Sequence, residues 1–226
     1  MASIGLIYLS IIAYGSYQIK SNYFITSINK GKRRSVALTF DDGPHPDKTP
    51  GILEILKEKN VKATFFVIGK NAEKYPDLLR QIDDNGHFIA NHSYSHSYLI
   101  AFFSKGRLSK DLARCNEIIF QAIGKTPIFF RPPFGVTNPR YKRALTENGL
   151  QSIGWSLRSL DTRAKTKYQV IDKVISNLKR GDIVLLHDHL SVTADALEDI
   201  IEHINTKGIE IEPLSKVINM EPYAKV

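Results

Sequence analysis

At 226 residues, with 42% apolar and 24% charged side chains, the chain suits one domain with a sizeable core and excludes a disordered or low-complexity protein. Its single cysteine, Cys115, rules out a disulfide framework and the multi-cysteine zinc or iron–sulfur sites. The net charge of +8 suggests nucleic acid or a membrane surface until it is mapped: residues 1–34 hold five cations (Lys20, Lys30, Lys32, Arg33 and Arg34) and no carboxylate, so the remainder is only mildly basic and nucleic acid is not expected as a partner.

The chain opens on an uncharged, mostly apolar run, IGLIYLSIIAYGSYQI at 4–19. It is shorter than the ~20 residues of a spanning helix, and lacks the basic start and small-residue cleavage site of a signal peptide. The expectation is a short or tilted membrane anchor reaching toward Ile25, with Lys20 snorkelling; a helix docked on the domain is the alternative. Residues 1–34 are accordingly read as an anchor or signal-like segment with a basic linker, and 35–226 as the catalytic domain. By the positive-inside rule, the basic cluster would hold that domain in the cytoplasm.

From residue 35 onward, short β-branched or aromatic runs alternate with longer segments of helical period. Strands are expected at 36–40 (VALTF), 63–67 (ATFFV), 87–90, 128–130, 151–155, 182–187 (DIVLLH) and 209–212. Helices are expected at 49–59, 72–85, 108–123, 140–148, 167–179 and 194–206, several closed by glycine stops such as Asn85-Gly86 and Asn148-Gly149. The alternation predicts an α/β fold, a parallel sheet wrapped by helices and curled into a closed or partly open (β/α) barrel of about seven strands. Reactive side chains then belong at the C-terminal strand ends. Five of the expected strands run into charged or imidazole-bearing residues there.

Asp41 and Asp42, at the tip of the first of these strands, point to different sides and can serve different partners; a plain turn is the other reading of Asp-Asp-Gly-Pro. His92 and His96 are four apart among small polar residues and, on one helical turn, can grip one metal. Joined to Asp42 they make a two-histidine, one-carboxylate set with open positions. Zn2+ is the ion expected from these ligand types, with Co2+, Ni2+, Mn2+ or Fe2+ also compatible.

TFDDGP at 39–44, HSYSH at 92–96, RPPFG at 131–135 and LLHD at 185–188, in that order, resemble the polysaccharide deacetylase family, the NodB-homology domain of carbohydrate esterase family 4. The likeness spans roughly residues 35–214. It implies a distorted (β/α) barrel with fewer than eight regular strands. It also implies a metal-dependent hydrolase removing acetyl groups from an N-acetylated glycan, either peptidoglycan or a chitin-like oligosaccharide. By the same resemblance Asp42, His92 and His96 hold the metal, Asp41 is the general base and Arg131 keeps that base ionised. His187 is the general acid and Asp161 the carboxylate that orients it; Phe134 offers a backbone N–H to the oxyanion, and Leu185 lines the pocket for the acetyl methyl.

One motif departs from the family pattern. Where the family commonly has Asp-x-x-Asp-Trp, this chain has RSLDT at 158–162, so Arg158 and Thr162 replace an aspartate and an aromatic wall. Trp155 is a candidate to restore that wall, and Arg158 either favours an anionic glycan or is a surface replacement. Two other functions are compatible: O-deacetylation, for example of acetylated xylan, and a catalytically silent glycan-binding protein. Silent relatives usually lose a metal ligand or the base, whereas all of these residues persist here. The substrate puts the domain outside the cell, facing wall or periplasm, against the charge pattern of the leader.

Overall fold

The structure, a computed structural model, describes residues 2–225. Its strands in chain order are β1 (Ser27–Ile28), β2 (Ala37–Asp41), β3 (Thr64–Val67), β4 (Phe88–Asn91), β5 (Phe129–Phe130), β6 (Gln151–Ile153), β7 (Leu157–Arg158) and β8 (Ile183–His187). They form one eight-stranded sheet in the order β1-β6-β5-β4-β3-β2-β8-β7, and every neighbouring pair is parallel. The sheet curls into a half-barrel whose edges, β1 and β7, do not pair. All C-terminal strand ends therefore share one rim.

Side chains alternate across each strand. Leu38 and Phe40 of β2, with Val184 and Leu186 of β8, pack outward into the larger core beneath the helices. Ala37 and Ile183 face inward and join Phe66, Ala90, Phe129 and Ile153 in a smaller core at the bottom of the curl. Asp41 and His187 occupy the top of the same inner face, as direct partners in the β2–β8 register. An apolar floor and a polar rim thus follow from the period of two.

The covering helices are α2 (Thr49–Glu58), α3 (Gly69–Lys74), α4 (Pro76–Asp84), α5 (Lys105–Ile123), α6 (Pro139–Glu147), α7 (Lys167–Ile175) and α8 (Ser191–Thr206); α9 (Leu214–Ile218) plugs the floor with Leu214 and Val217. Cys115 is buried on α5. The single helix expected at 72–85 is two, because Pro76 lacks an N–H to continue α3 and instead opens α4. The strand expected at 209–212 is a lone parallel bridge between Val36 and Ile211, cut short by Pro213, which opens onto α9. Two strands escape the sequence reading, β1 and β7, each two residues long; so short a run has no alternation to detect.

The front of the chain departs most from expectation. It begins with α1 (Ala2–Tyr17), whose 16 residues reach about 24 Å, short of the ~30 Å hydrocarbon core of a bilayer. No helix among the described residues is long and apolar enough to cross a membrane, so the expected anchor is not supported. Nor does the apolar run extend outward toward Ile25. Ile19 and Ile25 are buried in the domain, and Ser27 and Ile28 pair with Ser152 and Ile153 of β6. Ser27 and Ile28, within the stretch expected as anchor and basic linker, thus form an edge of the sheet.

Candidate active site

Asp41 ends β2, and its carboxylate is gripped from behind. Arg131, fully buried just past β5, donates from Nη1 to Asp41 Oδ1 at 2.6 Å and to Thr39 Oγ1 at 2.9 Å. The remaining guanidinium donors reach the carbonyls of Gly154 at 2.9 Å and Ile153 at 3.3 Å, and the plane lies 4.0 Å from the Phe66 ring centroid. Four of its five N–H donors are thus engaged, and among the described residues Asp41 is the single opposite charge bonded to this cation. The other oxygen, Asp41 Oδ2, carries no hydrogen bond among the described residues and lies 3.9 Å from His92 Nε2.

Asp42 follows β2 in a positive-φ conformation (77°) that breaks the strand's alternation, and its carboxylate and the free oxygen of Asp41 both face His92 instead of opposite sides. Asp42 Oδ1 lies 3.4 Å from His92 Nε2 and 3.2 Å from His96 Nε2, is buried, and has no hydrogen-bond partner of its own. The three ligand atoms all lie within 4.8 Å of one another. His92 Nδ1 is 2.8 Å from the Arg131 carbonyl; since a carbonyl only accepts, the proton sits on Nδ1 and the Nε2 lone pair faces Asp42. Burial, with the His92 charge beside it, pulls the His96 pKa down to about 4, so its imidazole is neutral near pH 7. Burial raises the Asp42 carboxyl, but the imidazoles of His92, His96 and His187 beside it outweigh that and hold the group well below the ordinary range. An anionic oxygen, two neutral imidazole nitrogens and an orphaned acceptor between them fit a divalent transition-metal ion.

Across the rim stands His187, at the end of β8. Its Nδ1 is 2.8 Å from Asp161 Oδ1, while its Nε2 points toward Asp42 Oδ2 at 4.0 Å. Asp161 is saturated: Oδ1 also accepts the Thr162 N–H at 2.9 Å, and Oδ2 accepts the His187 N–H and the Thr193 hydroxyl, both at 2.8 Å. Burial alone would lower the His187 pKa, but the hydrogen bond and charge of Asp161, helped by Asp41 and Asp42, overcome it and leave the value raised.

Eight of the ten expected site residues line one cavity of about 360 Å³, Phe134, Trp155 and Leu185 among them. The other two, Arg131 and Asp161, lie behind its wall, bonded to Asp41 and His187. Trp155 packs over Gly135, where an added Cβ would meet the indole at 2.5 Å. The cavity is completed by Gly135, Arg158, Thr162 and Arg163, so the departure at 158–162 sits in the wall and not on a remote surface.

Backbone geometry marks the same place. Among the described residues, eight non-glycine positions have positive φ. Three are asparagines, which tolerate it. The other five are Asp42 (77°), Ser93 (65°), His96 (43°), Phe134 (60°) and Leu160 (59°), all in the loops that present the site. Each such residue costs on the order of 1–3 kcal/mol, offset by the surrounding bonds, such as Ser93 Oγ accepting the His96 N–H at 3.0 Å.

Sequence reasoning missed several contributors. Tyr98, two residues past His96, stacks on Phe134 with centroids 5.2 Å apart and is 88% exposed, giving the cavity mouth an open aromatic face. An aromatic so soon after the second histidine was a usable signal. His189 has Nδ1 3.7 Å from Asp42 Oδ2. Asp188 turns away from the cavity, accepts the Thr49 hydroxyl at 2.7 Å, and burial pushes its pKa up to about 7. A Cβ at Gly43 would lie 2.0 Å from Asp188 Oδ2. Gly43→Ala is therefore expected to lower stability by about 1–3 kcal/mol, read as a shifted urea midpoint; an unchanged midpoint would show that this loop yields freely.

Comparison with known proteins agrees with this geometry. A family model described as polysaccharide deacetylase matches residues 28–153. A peptidoglycan-N-acetylglucosamine deacetylase of Bacillus cereus is 38% identical over 180 residues, covering 78% of this chain and 65% of its own length. The peptidoglycan-N-acetylmuramic acid deacetylase PdaC of Bacillus subtilis is 31% identical, covering 82% of this chain and 39% of its own. The chain thus spans less than two thirds of either relative. The crystal structure of the Bc1960 peptidoglycan N-acetylglucosamine deacetylase matches with a TM-score of 0.83 at 34% identity, over 88% of this chain and 95% of that one.

Proposed function

The chain belongs to the polysaccharide deacetylase family, and from that membership we propose that it hydrolyses the N-acetyl groups of a cell-wall glycan, using a divalent metal, zinc by ligand type. The observation that carries this reading is the arrangement of three functions around one cavity. Asp41 has a free carboxylate oxygen on one side, the Asp42–His92–His96 set faces the centre, and the imidazole of His187 stands on the other side.

An acetamide resists water because its carbonyl is weakly electrophilic, water is a poor nucleophile, and an amide anion does not leave. A metal held by Asp42, His92 and His96 supplies Lewis acidity, lowering the pKa of water and polarising the acetyl carbonyl. The chain's own residues do the rest. Asp41 Oδ2 takes the proton of the attacking water, while Arg131 holds Oδ1 in place. In this reading the backbone N–H of Phe134, which lines the cavity, donates to the carbonyl oxygen as negative charge develops there. A C–O bond forms, the C–N bond breaks, and His187, held protonated by Asp161, gives its Nε2 proton to the departing nitrogen. The products are acetate and the free amine. Leu185 and Trp155 bound the space for the acetyl methyl, and the Tyr98–Phe134 face offers a platform for a sugar ring.

Acetate release from N-acetylglucosamine oligomers, after loading the protein with zinc or cobalt, is the direct test. Release from acetylated xylan and from no amide would reassign the enzyme to O-deacetylation; no release from either, with bound metal confirmed, would remove the hydrolytic reading. In parallel, His96→Ala is expected to weaken metal binding by more than the ~10–100-fold that disturbing an outer-shell partner costs. Metal content by elemental analysis after gel filtration reads this without any substrate. Full retention would take His96 out of the ligand set.

A further inference from the structure

The cations that precede the domain in sequence are not left in solvent at its edge. Lys20 and Lys30 fold back beside β7, where with Arg158, Lys173 and Lys179 they line a second cavity of about 480 Å³. Asp182 is the one acidic side chain in that lining, and its oxygens are already engaged. Oδ1 accepts the Ser156 hydroxyl at 2.7 Å, with Lys30 Nζ 3.9 Å away, and Oδ2 accepts the Lys179 N–H at 2.7 Å. Lys20 is fixed by donating to the Ser156 carbonyl at 2.7 Å, a neutral partner that leaves its charge uncompensated. The side chains of Arg158, Lys173 and Lys179 have no acidic partner among the described residues.

Five cations around one occupied carboxylate repel one another, and a cleft lined by one sign of charge concentrates the opposite sign. The placement says which anion. Arg158 lines this cavity and the catalytic one together, and Arg163 adds a second guanidinium to the catalytic wall. The positive row therefore starts beside the reacting acetamide and leads away from it. A neutral oligosaccharide brings no opposite charge to these groups, whereas a glycan bearing carboxylates on sugars flanking the acetamide would match them.

We propose that Arg158 with Lys20, Lys30, Lys173 and Lys179 forms an anionic subsite that binds a carboxylate carried by the glycan next to the sugar being deacetylated. The inference rests on the deacetylase reading and names the substrate class that reading leaves open. Lys173→Glu/Lys179→Glu reverses charge on a half-buried and an exposed side chain, neither of which has a side-chain hydrogen bond or ion pair among the described residues.

The experiment compares wall glycan strands carrying free carboxylates with the same strands converted to neutral amides, and uses N-acetylglucosamine oligomers as a reference. For the native chain, kcat/KM is expected to favour the free-carboxylate strand by roughly tenfold, the scale of one or two charge-assisted contacts. That preference should fall toward unity as salt rises, and in the double variant at low salt. Equal rates on charged and amidated strands would overturn the subsite, as would a preference that survives both salt and charge reversal, or competition by inorganic phosphate without any carboxylate preference. Equilibrium binding of the two strands to the native chain separates the two readings. If no glycan releases acetate the hydrolytic assignment falls, while tighter binding of the carboxylate strand would still support the subsite and equal binding would remove it.

Discussion

Asp41→Asn is expected to lower kcat on N-acetylated oligosaccharides by roughly 10²–10⁴-fold, the range that a positioned proton acceptor contributes, with metal content unchanged. The amide oxygen can still accept from Arg131 Nη1, so the side chain keeps its place; what disappears is the anionic Oδ2 that carries no hydrogen bond and faces the cavity. The same change removes the only charge among the described residues that is bonded to a fully buried guanidinium. Breaking such a pair outright costs about 3–5 kcal/mol, and the surviving hydrogen bond keeps the loss toward the lower end of that range. Rates must therefore be taken where urea titration shows the variant folded. A folded, metal-loaded variant with near-native kcat would end the assignment of Asp41 as base.

Much of this site could be read from the chain because its chemistry sits at strand termini. Each motif begins in an apolar run and ends in a polar one, so period-two patterning and residue type together indicated which side chains share a rim. That worked for Asp41 and His187, which end β2 and β8, and for His92 and Arg131, which directly follow β4 and β5. It failed where a contact depends on a long closure. Thr193 bonds to Asp161 across 32 residues, and nothing local in SVTADAL distinguishes that hydroxyl from any helix-opening threonine. Lys20 reaches Ser156 across 136 residues; as a sequence feature it belonged to a leader, and the tertiary fold made it part of a cavity wall.

The edges of the sheet show a related limit. β1 and β7 are two-residue strands, stabilised by the longer neighbours they lie against and by side-chain bonds such as the 2.7 Å contact between the Ser27 and Ser152 hydroxyls. No propensity signal survives at that length. The apolar start of the chain shows a further limit, since hydrophobicity alone does not reveal that Ile19 and Ile25 pack into the domain's own side. Arg158 could be read in sequence as a departure from a pattern, but its meaning required knowing that two cavities meet at its side chain.

Asp161→Asn tests the other half of the proton path and is expected to do more damage than an isosteric change usually does. Each carboxylate oxygen accepts one backbone N–H, that of Thr162 at Oδ1 and that of His187 at Oδ2. Whichever way an asparagine turns, its NH2 group meets a fixed N–H donor, a clash of like dipoles worth about 1–3 kcal/mol. The His187 tautomer is released as well, so a loss in kcat of about 10²–10⁴-fold is expected. The pH dependence carries a sign that packing damage alone would not produce. His187 must be protonated to act, and its raised pKa places the alkaline limb of native activity above the ordinary histidine value of ~6.5. Without the Asp161 charge, that limb should move to lower pH. Stability follows the same linkage. The His187 contribution is complete below the unfolded-state pKa of ~6.5 and fades as pH rises through the raised folded value. The Asp161 contribution, from a carboxyl that burial would raise but His187 holds low, is complete above ~3.9 and fades as pH falls. The stability gap between native chain and variant should therefore be widest between about pH 4 and pH 6.5. A pH-independent gap together with an unmoved alkaline limb would show that Asp161 packs against His187 without controlling its proton.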